Sequence, residues 1–319
     1  MTDADKSDEP DPVEITFTGV HAVSPVQAAI PAVIDEWAEE NQDHTLVCHW
    51  LGDHYRLQPV ENSNAGVCVL DEGEQKLLAV GVDGEVDVRR FFQTGTAEIG
   101  TEQITGAEGP SYSLLLRCAR RIGGQLFAAG MARQVYRRER PGVWTAIDAG
   151  TFSPRAERGT AAIGFNGIDG PTADEIWAVG FGGEIWHWRG GVWRQIDSPT
   201  NIALNAVVCT PGGDVYACGM AGLLLKGRGD AWELIHHAET TDDFWSITCL
   251  GERVFVSSYD GVFRIEAETL ERVDLRLPGT TTAYLDAGGG SLWSVGAKHV
   301  AVSTNGEEWS RVRLPVVRI

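Results

Sequence analysis

The sequence predicts an all-β propeller of six four-stranded blades, with seven blades as the alternative. The main observation is a short, mostly hydrophobic phrase that occurs six times and closes on a small residue. The closing residues are Gly81, Gly130, Gly180, Gly219, Ser258 and Gly296, so neighbouring copies lie 38 to 50 residues apart. A repeat of about 40–50 residues in a β-rich chain is typical of propeller blades. Glycine supplies 38 of the 319 residues, which suits a fold with many tight turns.

The N-terminal part of the chain does not show this repeat. Residues 1–13 contain five acids and two prolines and are expected to be a disordered tail. Residues 14–64 are expected to form an N-terminal cap or an irregular seventh blade. Here Ser24 and Pro25 precede apolar residues at helical spacing, which predicts an amphipathic helix over 25–40, with a kink or restart at Pro31. Residues 45–50 and 54–60 are expected to pair as strands.

Residues 65–319 carry the repeat and are expected to form the propeller. Each unit is predicted to contain an inner strand, the repeated phrase, a third strand and an outer strand joined to the third by a glycine-containing hairpin. Segments 92–112 and 146–160 are expected to be loop insertions, where binding often lies. A tryptophan near the hairpin is expected to seal one blade against the next, at Trp144, Trp193, Trp232 and Trp309.

Four of the six cysteines precede the repeated phrase at similar distances, in predicted inner strands: Cys68, Cys118, Cys209 and Cys249. Equivalent positions of neighbouring blades meet around the axis of a propeller, where small side chains fit. The chain contains no CxxC pair. We therefore expect free buried thiols, and we expect no metal site and no cofactor.

Part of the repeat resembles a known group of propellers. The phrase Trp177-Ala178-Val179-Gly180 and the later Gly191-x-Trp193 look like the kelch and Asp-box (BNR) class. Residues 303–309 are similar to a shortened Asp-box hairpin, with Asn305 where aspartate is usual. The resemblance covers about residues 66–319 and implies the fold. Sialidases of this class use an arginine triad and a Tyr–Glu pair that have no visible counterpart in this sequence, so no activity is carried over.

The net charge narrows the classes of partner. The chain has 26 basic and 45 acidic residues and a formal net charge of −19. Such a surface repels phosphates, so nucleic acid and anionic membranes are not expected partners. A basic protein is the better electrostatic match, although solubility alone would also account for the charge. The chain shows no secretory leader and no apolar stretch of membrane-spanning length, so a cytoplasmic location is expected.

Two charged clusters are the candidate partner-binding sites. The acidic cluster lies on the predicted helix and comprises Asp35, Glu36, Glu39, Glu40 and Asp43. The arginine-rich stretch comprises Arg117, Arg120, Arg121, Arg133, Arg137 and Arg138. The acids either dock onto a basic partner or form a solvated helix face. The arginines either hold an anionic group or pair with nearby acids such as Glu139.

These features favour a non-catalytic, protein-binding propeller that is monomeric outside its complex. A concrete form is an immunity or antitoxin protein that neutralises a basic toxin domain, such as a nuclease, encoded by a neighbouring gene. An alternative from another class is a glycoside hydrolase or lyase acting at the central channel, for which Asp242, Asp243 and Asp260 offer carboxylates near strand ends. A third alternative is an assembly or scaffold factor, which differs from an immunity protein only in its partner.

Overall fold

The described part of the chain forms a ring of seven antiparallel sheets and one small two-stranded sheet. The computed structural model describes residues 11–91, 98–105, 115–153, 163–266 and 269–318. Residues 1–10 of the predicted tail, and large parts of both predicted insertions, lie outside these ranges. The prediction of an all-β propeller is confirmed. The preferred number of six blades is wrong and the alternative of seven is right, because residues 15–60 build a blade of their own.

The strands of the first half follow the chain in blade order. The first strand is β1 (Pro12–Val13). Blade 1 contains β2 (Ile15–Phe17), β3 (His21–Ser24), β4 (Gln27–Ile34), β5 (Thr45–Leu51) and β6 (His54–Val60). Blade 2 contains β7 (Asn64–Asp71), β8 (Gln75–Gly81), β9 (Glu85–Arg90) and β10 (Glu98–Gln103). Blade 3 contains β11 (Leu116–Ile122), β12 (Gln125–Gly130), β13 (Val135–Arg140) and β14 (Val143–Ala146).

The second half continues in the same order. Blade 4 contains β15 (Phe165–Thr172), β16 (Glu175–Gly180), β17 (Ile185–Arg189) and β18 (Val192–Ile196). Blade 5 contains β19 (Leu204–Cys209), β20 (Val215–Gly219), β21 (Leu224–Arg228) and β22 (Ala231–Leu234). Blade 6 contains β23 (Ser246–Leu250), β24 (Arg253–Ser257), β25 (Val262–Glu266) and β26 (Thr269–Arg272). Blade 7 contains β27 (Tyr284–Gly288), β28 (Ser291–Gly296), β29 (His299–Ser303) and β30 (Ser310–Arg311), and the last strand is β31 (Val317–Arg318).

The predicted helix over 25–40 is wrong for most of its length. Residues Gln27–Ile34 form β4, and only Asp35–Glu39 form a helix, α1. β4 is the second strand of its blade and is buried on both faces, with Ala28, Ala29 and Ile30 fully inaccessible. A strand covered on both faces has no alternation of polar and apolar residues, so its spacing resembled that of a helix. The predicted strand pair after it is confirmed as β5 and β6.

Pro31 explains why blade 1 departs from the repeat. Proline has no N–H to donate into a sheet. The inner strand beside β4 is therefore divided in two, with β2 pairing at Phe17–Ala32 and β3 pairing at His21–Ala29. Pro31 still accepts a hydrogen bond at its carbonyl from the N–H of Thr18, at 2.9 Å. Pro31 therefore lies opposite the interruption between β2 and β3.

The repeated phrase forms the second strand of blades 2 to 7 and supplies much of the core. The tryptophans of the outer strands contact the preceding blade, as predicted. Trp193 donates its indole N–H to the carbonyl of Ile147, which follows blade 3, at 2.7 Å. Trp144 donates to Glu102 of blade 2 at 3.0 Å. Each blade is therefore covered on both faces by its neighbours.

The ring closes where blade 7 meets blade 1. β1 pairs antiparallel with β31, so the two ends of the described chain hold each other. Val317 packs in one core with Ile30 of blade 1 and Trp293 of blade 7. The indole N–H of Trp293 also donates to the carbonyl of Ser24 at 3.0 Å. Blades 7 and 1 are therefore joined by side-chain contacts and by the short pairing of β1 with β31.

The strand directions divide the connections between two faces. The upper face carries the links from second to third strands and from each outer strand to the next blade. The lower face carries the turns from inner to second strands and from third to outer strands. α1 lies on the upper face because it connects β4 with β5. The inner strands of successive blades contact one another around a central channel.

Candidate functional site

The acidic cluster lies on the upper face of blade 1, on α1 and the link that follows it. Glu36, Glu39, Glu40 and Asp43 are exposed, whereas Asp35 is partly buried. Asp43 accepts a hydrogen bond from the hydroxyl of Ser63 at 2.6 Å. The structure therefore keeps these acids together, although the helix that carries them is much shorter than predicted.

Asp35 has a structural partner in the last blade. The ammonium of Lys298 lies 2.6 Å from its carboxylate and joins blade 7 to blade 1. Burial acts to raise the pKa of Asp35, but hydrogen bonds from Lys298 and Thr16 outweigh burial and hold that pKa below its ordinary value. Asp35 is thus ionised and used within the chain, whereas Glu36 and Glu39 project their charge into solvent.

The arginine-rich stretch does not form one patch. Arg117 and Arg133 lie toward the upper face, where Arg117 donates to Asn166 at 2.6 Å and Arg133 pairs with Glu184 at 2.6 Å. Arg137 pairs with Glu139 on the outer part of blade 3, at 2.7 Å. Alternation along β11 and β13 points these side chains in different directions. The structure therefore does not bring the stretch together as one anion-binding surface.

Arg138 joins blade 3 to blade 2. Its side chain is 3% exposed and lies 2.6 Å from Glu102 and 2.5 Å from Glu72. Burial acts to raise the pKa of each of these glutamates, but hydrogen bonds from Arg138 outweigh it and lower both. This buried arginine and its two carboxylates hold blade 3 against blade 2. The arginine side chain is therefore not accessible to a partner.

Arg120 crosses the central channel. Its Nη1 lies 2.8 Å from Oδ1 of Asp286 in blade 7, and its Nε lies 3.6 Å from Oδ1 of Asp169 in blade 4. The other oxygen of Asp286 accepts the backbone N–H of Ala22 in blade 1, and that of Asp169 accepts the N–H of Cys209 in blade 5. One guanidinium thereby links the inner strands of five blades.

Below Arg120 the channel widens into a cavity of about 360 Å³ that opens toward the lower face. Its lining includes His21, Cys68, Arg121 and Asp286. Burial, the main influence, raises the pKa of Cys68 and of Cys118 to about 12, so both thiols stay protonated at neutral pH. The six cysteines are free, as predicted; Cys48, Cys68 and Cys218 are buried, whereas Cys118, Cys209 and Cys249 are only partly buried.

The carboxylates suggested for a channel enzyme lie elsewhere. Asp242 and Asp243 belong to the link between blades 5 and 6, and Asp260 belongs to the link between β24 and β25, all on the upper face. Asp243 accepts the backbone N–H of Ala221 at 2.8 Å. Across the described ranges, no group of three or more His, Cys, Asp or Glu residues is arranged to hold a metal ion. The described helices are too short or too polar to cross a bilayer.

Sequence reasoning missed an exposed aromatic pair on the upper face. The rings of Trp245 and Tyr259 lie 5.4 Å apart, and the two side chains are 37% and 58% exposed. Trp245 is the one exposed tryptophan of eleven, all of which fall within the described residues. Tryptophan served as a sealing residue elsewhere in the repeat, so its identity alone gave no sign that this copy faces solvent.

Comparison with known proteins identifies the family. No established family model matches the chain. The "Immune protein Tsi7" of Pseudomonas aeruginosa is 35% identical over 310 residues, which cover 94% of this chain and 98% of that protein. The chain belongs to the Tsi7 immune-protein family. This membership confirms the prediction of an immunity protein.

Solved structures show the same architecture outside the Tsi7 family. The WD40 β-propeller domain of Doa1 superposes with a TM-score of 0.66 and 12% identity, over 93% of this chain and 94% of that one. YCF48 bound to D1 peptide superposes with a TM-score of 0.64 and 13% identity, over 96% and 94%. At this identity the likeness concerns the fold alone. The kelch or Asp-box resemblance stays a prediction.

Proposed function

We propose that this member of the Tsi7 family protects its producer by binding a basic protein toxin stoichiometrically, without performing chemistry on it. The observation that carries the proposal is the kinship with an immune protein along 94% of the chain. The similarity also covers 98% of the immune protein, so it is not confined to one part of either chain. The immunity protein would act in the cytoplasm, as a monomer until it meets the toxin.

The distribution of charge supports a basic partner at the upper face. Exposed acids of the upper connections are Glu36, Glu39, Glu40, Asp43, Glu61, Asp83, Asp197, Glu239, Asp242, Asp260 and Asp274. Exposed arginines also occur there, but they are fewer, as with Arg117, Arg272 and Arg276. On the lower face some charges pair with each other, as Arg194 does with Asp230, although Asp53, Asp71 and Asp174 are also exposed there. The unbalanced acids would attract a basic protein and speed its association.

The channel supports a binding role over a catalytic one. Two carboxylates of the inner strands, Asp169 and Asp286, are both held by Arg120 and by backbone N–H groups. Asp71, which also lines the cavity, accepts the backbone N–H of Gly73. A general acid and a general base need pKa values set apart and access to a substrate. Carboxylates fixed by one shared arginine are suited to hold the blades together.

Co-expression tests the proposal. The proposal predicts that a toxin domain is encoded beside this gene. That domain is induced in a bacterial host with or without the chain, and growth and complex formation are measured. Protection together with a complex that weakens as salt increases is the expected result, because surface charges are screened within about 8–10 Å at physiological salt. Protection without a complex would contradict binding as the mechanism, and absence of protection would contradict immunity against that toxin.

A further inference from the structure

The upper face of blades 5 and 6 carries exposed apolar side chains that the fold does not need. Trp245 and Tyr259 form the aromatic pair, and Met220, in the link between β20 and β21, is 44% exposed. The remaining tryptophans lie in the core or in blade contacts. Exposed Trp and Tyr clusters of this kind are enriched at binding hot spots.

Buried anchors fix the position of this patch. Phe244, which precedes Trp245, is fully buried against Phe263, with ring centroids 5.7 Å apart. Its N–H donates to the carbonyl of Gly219 at 3.0 Å, and its carbonyl accepts from the side-chain amide of Asn205 at 2.8 Å. The segment before β23 is therefore held on both sides, and Trp245 has to point outward.

The same contacts join Met220 to the aromatic pair. Met220 begins the single-turn 3-10 helix Met220–Gly222 between β20 and β21. The carboxylate of Asp243 accepts the N–H of Ala221 at 2.8 Å, while Phe244 is bonded to Gly219. Hydrogen bonds thus connect the turn that carries Met220 to the segment that carries Trp245. A preformed patch loses little conformational entropy when a partner binds.

Tyr259 stands beside a groove on the same face. The link Ser258–Gly261 is fixed because Ser258 donates its N–H to Gly261 and accepts from the hydroxyl of Thr282 at 2.6 Å. A cavity of about 620 Å³ opens next to it, with Asp260, Leu277 and Pro278 in its lining. Arg272 also lines the groove, but it donates to the carbonyl of Asp260 at 2.8 Å and lies over the ring of Phe263.

Acids surround the apolar centre. Asp242 and Glu239 precede Trp245, Asp260 follows Tyr259, and all three are exposed. An aromatic face next to carboxylates favours an arginine or lysine side chain, which gains both a cation–π contact and an ion pair. The chemistry of the patch therefore matches a cationic protein surface better than an acidic or purely apolar one.

We propose that the patch of Trp245, Tyr259 and Met220, with its acidic rim, is the main anchoring site for the basic toxin domain. This inference rests on the proposed immunity function and names its binding surface. A basic side chain of the toxin packs on the aromatic pair and pairs with Asp242 or Asp260. The acids of blade 1 then act at a distance, by attracting the toxin to this face.

Binding measurements with single variants test the site. Trp245→Ala and Tyr259→Ala are compared with the unaltered chain for affinity to a catalytically inactive form of the toxin domain encoded by the adjacent gene. Trp245→Ala is expected to raise Kd by at least about 30-fold, which is the magnitude of an aromatic hot spot. Val192→Ala is the matched control, because Val192 is 66% exposed on the lower face. It should leave Kd unchanged.

A fluorescence measurement on the folded protein checks the same claim independently. Trp245 should account for most of the acrylamide-quenchable tryptophan emission, and Trp245→Phe should remove that fraction without unfolding the chain. Addition of the toxin domain should protect this part of the tryptophan emission from quenching by acrylamide. Continued quenching in the complex would overturn the site.

The outcomes separate the two proposals. Failure of the unaltered chain to bind the toxin domain overturns the proposed function and the site with it. Equal binding by the unaltered chain and both alanine variants overturns the site and leaves the function standing. A dimer of the free chain that Trp245→Ala dissociates would assign the patch to a second copy of this chain, which also overturns the site.

Discussion

Arg120 of blade 3 reaches Asp286 of blade 7 across the central channel, with Nη1 and Oδ1 2.8 Å apart. Burial acts to lower the pKa of Arg120, but the charges of Asp286 and Asp169 outweigh it and raise that pKa. The guanidinium is therefore charged at neutral pH. Because the two aspartates also hold backbone N–H groups of blades 1 and 5, the pair fixes the inner strands of most of the ring.

Replacing Arg120 tests that role. Arg120→Met should lower the free energy of unfolding by about 3 kcal/mol, since Asp286 would be left 5% exposed without its cation. Urea unfolding followed by tryptophan fluorescence measures the loss. Arg121→Met is the control, because Arg121 is exposed on the same strand. Similar stability of the two variants would show that the channel pair contributes little.

Arg138 makes stability sensitive to acid. The folded chain holds the pKa values of Glu72 and Glu102 below the ordinary 4.5, so the unfolded chain takes up protons first as the pH falls. Their contribution is complete above about pH 4.5 and is lost as the pH falls through the lowered values. Arg138→Met should therefore be less stable at neutral pH and should lose less on acidification. Urea midpoints at pH 7, 5 and 4 measure this, with Arg137→Met as the control.

The acids of blade 1 should govern the rate of association. Replacing Glu36, Glu39 and Glu40 together by glutamine should slow association with the toxin domain by about tenfold and leave dissociation nearly unchanged, because exposed charges steer diffusing partners. Stopped-flow kinetics at low and high salt measure both rates. A change confined to dissociation would mean that these acids touch the partner directly.

Gly222 ties the 3-10 turn to the patch. Its φ is +71°, and an added Cβ would lie 2.6 Å from the carbonyl oxygen of Thr240 in the link to blade 6. Gly222→Ala should cost about 1–3 kcal/mol in stability and weaken toxin binding by shifting that link. Gly190→Ala is the control, because Gly190 also has a positive φ but nothing lies within 4 Å of its Cβ position. Equal losses in both variants would assign the effect to backbone strain alone.

Blades 2 to 7 could be predicted from the sequence because each copy of the repeat packs in an equivalent environment and therefore needs similar residues. The closing Gly219, for example, is needed because a Cβ there would lie 2.2 Å from the carbonyl oxygen of Ala203. Blade 1 escaped detection because Pro31 divides its inner strand and because β4 is apolar on both faces. Local pattern therefore failed where tertiary burial decided the conformation.

The candidate site was harder to predict for a different reason. The acids of α1 are visible as a charged run, and the structure keeps them exposed. The arginines of blade 3 also formed a run, yet strand alternation and pairing with Glu102, Glu139 and Asp286 distribute them among separate contacts. Trp245 gave no local signal, because its exposure follows from the anchoring of Phe244 beside it. Whether such a side chain faces solvent depends on contacts with neighbouring blades, which the local sequence does not show.

The proposed protection requires stoichiometric binding of the toxin by the folded propeller. The most direct measurement is a titration of this chain into a fixed, high concentration of the toxin domain while toxin activity is recorded. Stoichiometric binding predicts a linear fall in activity that reaches zero at one chain per toxin and does not change with incubation time. Progressive loss of activity at a small fraction of one equivalent would contradict it, because only a catalyst acts repeatedly.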